Sequence, residues 1–599
     1  MRLQNIRFPE ADICREEELY FHRNGEWIDF NGYFNLFYIE KRKKYTNQES
    51  LTLHLELNGC QAIRLMLDEN IIQEKTLTGG KETLELEFPY SKTEQGVFWF
   101  SVKIEKSSGA ENSFEKSAAK TEENSVCDIS AHVKGWYEGT CQNEKPVRIA
   151  AVVCTFKREP YVLRNLKSVL RFLEQPENAS MRLCYWLVDN GRTLSEHEEI
   201  SRLAVRYPDT IRIIPNRNVG GAGGFTRGMI EAIEEKERLG LTHVQMMDDD
   251  AVMDPELFVR AYGFLGMRKD EWEDIRLGGT LLREDYPYIC QAMGEWFENF
   301  NVTNQLVMTD MRSFDNCRNP LVERPHDEYK MYSGWWCCCY SLNTVRNDNL
   351  PLPLFIHRDD IEYEIRNKET GIVFLNGLNV WHKGFEVNFL GTNAYYDVRN
   401  NLIFAALHEP DMSRIRMWRW ISKFIITAVL KMRYEEAYFS WQGVRDFMKG
   451  AEWLIRTDAE QLNNQLRKHL QEMIPMDVEE QPTIKELQRC YSLERNKGRF
   501  WKKVTFNGWF LPADKEIGIL RPYDAPFSIF RKKKIELWDT GAKKKREAAR
   551  DGRQLIRAIG YCLHIMQMLF FQYGKIQKEY EEKYEILKNK SVWEEEDRG

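Results

Sequence analysis

The sequence predicts a multidomain protein: an N-terminal β-sandwich over residues 1–145, a central α/β domain over 146–400 and a mostly α-helical region over 401–599. Three observations predict this. Short alternating apolar–polar segments fill the first hundred positions, a continuous apolar run at 147–156 opens an alternation of strands and helices, and beyond about Asn401 the spacing turns helical.

The first part contains LTLHLELNG, AIRLMLDEN, ETLELEFPY and GVFWFSVKIE, separated by Gly, Asn and Pro breaks that suit an antiparallel sandwich able to bind carbohydrate or acceptor. The small, polar stretch Lys106 to Ser125 reads as a flexible exposed loop. In the second part VRIAAVVCTF has no polar alternation, as expected of a parallel strand covered on both faces. Pro160 then fits a first helical turn, and Leu163, Leu166, Val169, Leu170 and Leu173 repeat at helical spacing. LCYWLVDNG, IRIIPN and HVQMMDDD supply three more strands, so a ligand site is expected at the strands' carboxyl ends.

Composition narrows the function classes. With 43% hydrophobic and 30% charged residues the chain can bury a core, and a net charge of −7 gives no overall attraction to nucleic acid. The N-terminus MRLQNIRFPEADICREEELY has no apolar signal segment, and the thirteen cysteines lack a framework spacing. A cytoplasmic protein with reduced thiols is therefore expected. In the third part the uncharged run Ala558 to Gly574 is too short and polar for a span and reads as a buried or surface-docking helix. The basic excess between Trp501 and Gly560, with RKKK at Arg531 and KKKR at Lys543, reads either as a solvated face or as peripheral contact with an anionic membrane surface or lipid-diphosphate acceptor.

Polar groups collect where the central strands end. TFKRE (Thr155 to Glu159) closes the first strand, VDNG the second, and NRNVGGAGGFTRG (Asn216 to Gly228) follows the third, its glycines expected to let backbone N–H groups approach an anion. Thr226 stands where the dinucleotide fingerprint needs a third glycine, which argues against a Rossmann dehydrogenase. Three consecutive aspartates, Asp248, Asp249 and Asp250, suit a hard divalent cation carrying a nucleotide diphosphate, with Asp248 and Asp250 on one side. Asp359 and Asp360 precede a helix, and His382 follows an apolar strand. The three adjacent cysteines at 337–339 read as a packed strand, because neighbours point to opposite faces.

In the order TFKRE, VDNG, NRNVGGAGGFTRG, MMDDDAV, MGEWFE, SGWWCCCYSL, FIHRDDIEYEIR and VWHKGFE, the central segment resembles family 2 glycosyltransferases of the GT-A fold, and the whole chain is similar to bacterial polymerising galactofuranosyltransferases. The paired WW, HRDD and WH elements are the more specific part. The resemblance implies a metal-dependent, inverting transfer of galactofuranose from UDP-galactofuranose to a growing, lipid-linked glycan. It implies Asp248, Asp250 and His382 as ligands of Mn2+ or Mg2+, and Asp360 as general base with Asp359 beside it. Thr155, Arg158, Asp189, Asn218 and Asp249 would hold the nucleotide, and Glu295, Trp335, Trp336 and Trp381 would line the sugar or acceptor pocket. A rhamnosyl or galactopyranosyl donor, or a non-catalytic glycan-binding assembly subunit, is the alternative. The site would then work at the cytoplasmic face of a membrane, and a homo-oligomer is left open.

Overall fold

The computed structural model describes residues 1–104, 129–179, 181–323, 331–492, 500–525 and 527–594; the loop expected near 106–125 lies outside them. The described residues between 2 and 140 form two antiparallel sheets. In one, Ser50–Leu57 lies between Val133–Thr140 and Glu82–Phe88, and Leu51, Leu53, Leu55 and Leu57 all turn inward. The period of two puts every second side chain into the shared core, where each leucine contributes about 2 kcal/mol of burial. In the other, Val97–Ile104 is central, with Cys60–Leu67 on one side and Trp27–Asp29 on the other.

The sheets dock on the central domain through buried polar groups. The Arg260 guanidinium donates to the Phe34 carbonyl at 2.7 Å and the Asn376 carbonyl at 2.8 Å, while Glu256 accepts from the backbone N–H and side chain of Asn5 at 2.6 and 2.7 Å. Buried groups of this kind are tolerated because they are paired.

The central sheet contains β1 (Ile149–Thr155), β2 (Cys184–Asp189), β3 (Ile211–Pro215), β4 (His243–Asp248), β5 (Val252–Met253), β6 (Arg276–Arg283), β7 (Cys337–Ser341) and β8 (Ile372–His382). Their order is β3-β2-β1-β4-β7-β6-β8-β5, with β1 to β4 parallel and β7 antiparallel to both neighbours. Helices α1 (Glu159–Leu173), α2 (Gly220–Glu234), α3 (Glu256–Leu265) and α4 (Asp359–Arg366) accompany it. Chain direction around the sheet reverses between β1 and β4, so their carboxyl ends open a crevice there. Cys337 and Cys339 pack into one core and Cys338 into the other, all three reduced.

The glycine run departs from the sequence expectation. It is not a loop: Gly220 opens α2, and a side chain at Gly224 or Gly228 would collide with Cys154 or Val152 of β1. Glycines four apart lie on one helical face, so their main effect is close packing of helix on sheet. Gly220 itself sits at φ +72, where an added Cβ would run into the Phe355 carbonyl.

Beyond 401 the chain is mostly helical, with α5 (Asn393–His408), α6 (Arg414–Leu430), α7 (Tyr434–Phe447), α8 (Gly552–Phe571) and α9 (Tyr573–Leu587) around one apolar core. A small four-stranded sheet interrupts it, and KKKR falls on its strand Lys544–Ala549. There Arg546 pairs with Glu435 and Lys543 with Glu479, so this basic run is largely neutralised within the protein.

Candidate functional site

Two groups of side chains meet at the crevice. The first is built by β4 and β8. Asp248 is the last residue of β4, level with Cys154 of β1, and the chain then turns into the short β5. Because β5 pairs with the end of β8, with Val252 opposite Trp381, the next residue His382 comes back over Asp250. Its Nε2 lies 3.3 Å from the Asp250 carboxylate, and its Nδ1 faces the Lys383 carbonyl at 2.7 Å. One ligand atom from each of Asp248, Asp250 and His382 lies within 4.8 Å of the others. A divalent ion with bonds of about 2.1 Å fits this donor set after a small closure, and imidazole beside two carboxylates suits Mn2+.

Within the protein the charges of this group balance through side chains. Burial, reinforced by Asp250 and Asp249, pushes Asp248 up to about 7 despite the opposing pull of His382. Burial also acts to raise Asp250, but the hydrogen bond and charge of His382 win and hold it at about 2. His382 is raised to about 9, the Asp250 contact outweighing desolvation. Arg158, expected on the nucleotide, spans Asp249 at 3.0 Å and Asp250 at 2.5 Å. It occupies the position of a counter-charge, which a bound cation would relieve. Asp249 turns inward to Thr155 and Arg158.

The second group stands at the N-terminus of α4. Phe355, His357 and Arg358 all have positive φ, a rare conformation for such residues that surrounding contacts must over-determine. The contacts come from α5: Asp397 holds the His357 ring at 2.8 Å, Asn401 accepts from Arg358 at 2.9 Å, and Asn400 donates to the carbonyls of Ile356 and His357 at 2.8 Å. This knot delivers Asp359 against the N-terminal turn of α2 and leaves Asp360 with its carboxylate accepting from the Ile361 N–H at 2.8 Å. Burial and mutual repulsion push Asp359 up to about 7, and burial raises Asp360 as well. Glu295 lies near Asp360; burial, with that neighbouring charge, lifts it to about 8. The thiol of Cys154 feels Asp248, Asp249 and Asp359 together, which places it between the two groups.

Asp189 ends β2 level with Thr155, and the other expected residues divide between the rim of the crevice and the core. Both carboxylate oxygens of Asp189 accept backbone N–H groups, from Gly191 at 3.0 Å and Leu194 at 2.7 Å, so it shapes the turn after β2. Asn218 caps Gly220 at 3.3 Å. Trp336 reaches the site's rim, its ring 6.0 Å from Phe385, which in turn lies beside His382. Trp335 and Trp381 do not: Trp335 donates to Tyr340 in the core, and Trp381 donates to the Pro287 carbonyl on the side facing the N-terminal sheets. Alternation along β8 sends Trp381 and His382 to opposite faces, so only His382 faces the crevice, while Trp335 and Trp336 part at the turn that precedes β7.

Sequence reasoning missed the support beneath α4. Glu362, fully buried, is held by Arg366 at 3.0 Å, His408 at 2.9 Å and Tyr584 at 3.0 Å, tying the helix to α5 and α9. Its three partners are far apart in sequence, and only the acidic residue two positions after Asp360 hinted at it.

Residues 146–389 match the model of a family described as glycosyltransferase-like family 2. The segment that carries the site therefore matches a glycosyltransferase-like family 2 domain. The chain's relatives include the galactofuranosyltransferase GlfT2 of Mycolicibacterium smegmatis, 24% identical over 72% of this chain and 65% of that protein. The corresponding enzyme of Mycobacterium tuberculosis is 23% identical over 72% of this chain and 66% of its own length. The match therefore spans slightly under two thirds of these curated relatives. Among solved structures, a mannosyltransferase of Pyrobaculum calidifontis in complex with GDP-Man and Mn2+ is 13% identical over 43% of this chain and 63% of that one, with a TM-score of 0.27. TarS of S. aureus is 13% identical over 54% and 52%, with a TM-score of 0.30.

Proposed function

We propose that this chain is an inverting, metal-dependent transferase that moves galactofuranose from UDP-galactofuranose onto a growing, lipid-linked glycan. The observation that carries this reading is the meeting, at one crevice, of a candidate cation-ligand set and a separate carboxylate pair, Asp359 buried and Asp360 half-buried. Asp248, Asp250 and His382 would hold Mn2+ or Mg2+, which when bound would neutralise charge on the departing diphosphate. Arg158, freed from Asp250, would turn to the nucleotide with Thr155 and Asp249.

Asp360 takes the proton of the acceptor hydroxyl as that oxygen bonds to the anomeric carbon. The bond to UDP breaks on the opposite face, so configuration inverts. Asp359, Arg358 and the α5 knot hold Asp360 in place, and Glu295, protonated at neutral pH, donates a hydrogen bond to sugar hydroxyls. The similarity to mycobacterial galactofuranosyltransferases supports this donor. Release of UDP from a panel of UDP-sugars, with and without Mn2+, tests the reading. Metal-stimulated release is expected with UDP-galactofuranose above all others; no release with any donor would remove the enzyme reading, and preference for another sugar would remove the galactofuranose.

A further inference from the structure

Beyond His382 the chain runs from Lys383 to Thr392 with no strand or α-helix, only one short 3-10 turn, Phe385–Val387, before α5 begins. It nevertheless carries one side of the crevice. The Lys383 carbonyl meets the His382 Nδ1 at 2.7 Å, and the Phe385 ring stands 5.8 Å from the imidazole. A segment without its own hydrogen-bond ladder must find partners elsewhere. Here most come from the C-terminal region. The Val387 carbonyl accepts from the Gly541 N–H at 2.9 Å and the Thr540 hydroxyl at 3.0 Å. The Phe389 N–H donates to Asp539 at 3.1 Å, and the Gly391 N–H to Glu436 at 3.2 Å.

Nearest His382 the anchor is a ring of four side chains. Arg283 ends β6 in register with His382, and its guanidinium is fully buried. Its Nε and Nη2 donate to Asp285 at 2.8 and 2.7 Å, while Nη1 donates to the Gln291 amide oxygen at 2.7 Å and lies 2.6 Å from Glu386. The Gln291 amide nitrogen donates to the Tyr491 hydroxyl at 2.7 Å, and that hydroxyl donates to the other Glu386 oxygen at 2.7 Å. The ring thus closes from Arg283 through Gln291, Tyr491 and Glu386 back to Arg283. Tyr491 is the last residue of helix Ile484–Tyr491, in the C-terminal region.

A buried guanidinium and carboxylate are tolerated only when each is paired, so the members of the ring hold one another in place. The turn after His382 lies directly on them: a side chain at Gly384 would collide with the Arg283 guanidinium and the Glu386 carboxylate. For a ligating imidazole, the group that holds one ring nitrogen sets the direction of the other. For His382 that group is the Lys383 carbonyl, and the turn bearing it is pinned at Glu386.

We propose, on the ligand set put forward above, that Tyr491 is a positioning residue for the cation site: through Glu386 and Arg283 it fixes the turn that aims the His382 Nε2 at Asp250. The C-terminal region thereby sets the geometry of a site whose ligands all lie in the central domain.

The test is calorimetric titration of the full chain with Mn2+, without any sugar donor. Tyr491→Phe removes one hydroxyl from a side chain that is 37% exposed, so no core is repacked. Replacing a direct outer partner of a metal ligand costs about ten- to a hundredfold in affinity; Tyr491 acts further out, and its loss is expected to raise the Kd for Mn2+ by about fivefold. Tyr286→Phe is the control. Its hydroxyl donates to the Pro482 carbonyl at 3.1 Å, joining the same two parts of the protein outside the ring, and its loss is expected to leave the Kd unchanged. In a His382→Ala background Tyr491→Phe is expected to add nothing further, because its effect runs through the imidazole. A Tyr491→Phe variant that binds Mn2+ like wild type would overturn the inference and leave the ligand set standing. So would an equal loss in Tyr286→Phe, or a loss that persists without His382, each of which would assign Tyr491 to general docking of the two regions. Wild-type protein that takes up no Mn2+ would remove the ligand set itself, and the positioning role with it.

Discussion

Replacing Asp360 by Asn tests the division of labour at the site most directly. The structure says what the change removes and what it keeps. An amide carbonyl can still accept the Ile361 N–H that the carboxylate accepts at 2.8 Å, so the first turn of α4 stays closed. The lost negative charge had been repelling Asp359 and raising Glu295, so the folded state loses an unfavourable interaction rather than a favourable one. Stability is therefore expected to stay level or rise slightly. What disappears is the proton acceptor, and loss of a general base costs on the order of 10²–10⁴ in rate, or about 2.7–5.5 kcal/mol at 1.36 kcal/mol per decade. The assay pairs single-turnover sugar transfer with calorimetric UDP binding in Mn2+. Transfer is expected to fall by at least about 10² while UDP affinity and Tm stay near wild type. Transfer within about tenfold of wild type would refute Asp360 as base, and a parallel loss of UDP affinity would assign it to binding instead.

Further expectations follow from the same geometry. His382→Ala is expected to raise the Mn2+ concentration needed for half-maximal UDP release by about tenfold or more, and to lower Tm through loss of the Asp250 contact; an unaltered titration would remove His382 from the ligand set. Glu295 has a folded value of about 8 against an ordinary 4.5, so the folded state binds its proton more tightly. Its contribution to stability is complete below about 4.5 and is lost as pH rises through about 8, at roughly 1.4 kcal/mol for each pH unit across that interval; Glu295→Gln is expected to flatten the fall of Tm there. Gly220→Ala, at φ +72 and against the Phe355 carbonyl, is expected to destabilise well beyond about 1 kcal/mol, whereas Gly240→Ala, at φ +65 in open space, costs only about that much; equal melting shifts would deny the contact its role.

The elements of the central domain were legible because their causes are local. The apolar run of β1, the helical spacing of α1 and the aspartate triplet at the end of β4 all follow from residues next to one another. The convergence of Asp248, Asp250 and His382 was legible in part, since each ends or follows a recognisable strand, and the structure brings one ligand atom of each within 4.8 Å of the others. The glycine run misled because glycine serves equally in an anion-binding loop and in a helix pressed against a sheet; only the proximity of Val152 and Cys154 distinguishes the two. For Trp335, Trp336 and Trp381 the sequence shows neighbours, not faces, and only Trp336 lies beside Phe385 at the rim.

By itself, then, the sequence determined which residues carry charge, ligand atoms and apolar periodicity, and hence the local elements and the chemistry available to them. Only the tertiary structure decided which of those residues meet. The pairing of β5 with β8 turns His382 onto Asp250, α5 holds Phe355 to Arg358 in an improbable backbone, and α5 and α9 anchor Glu362 beneath the carboxylate pair. Such contacts join residues tens to hundreds of positions apart, and their energies come from burial and from partners that the local sequence does not contain.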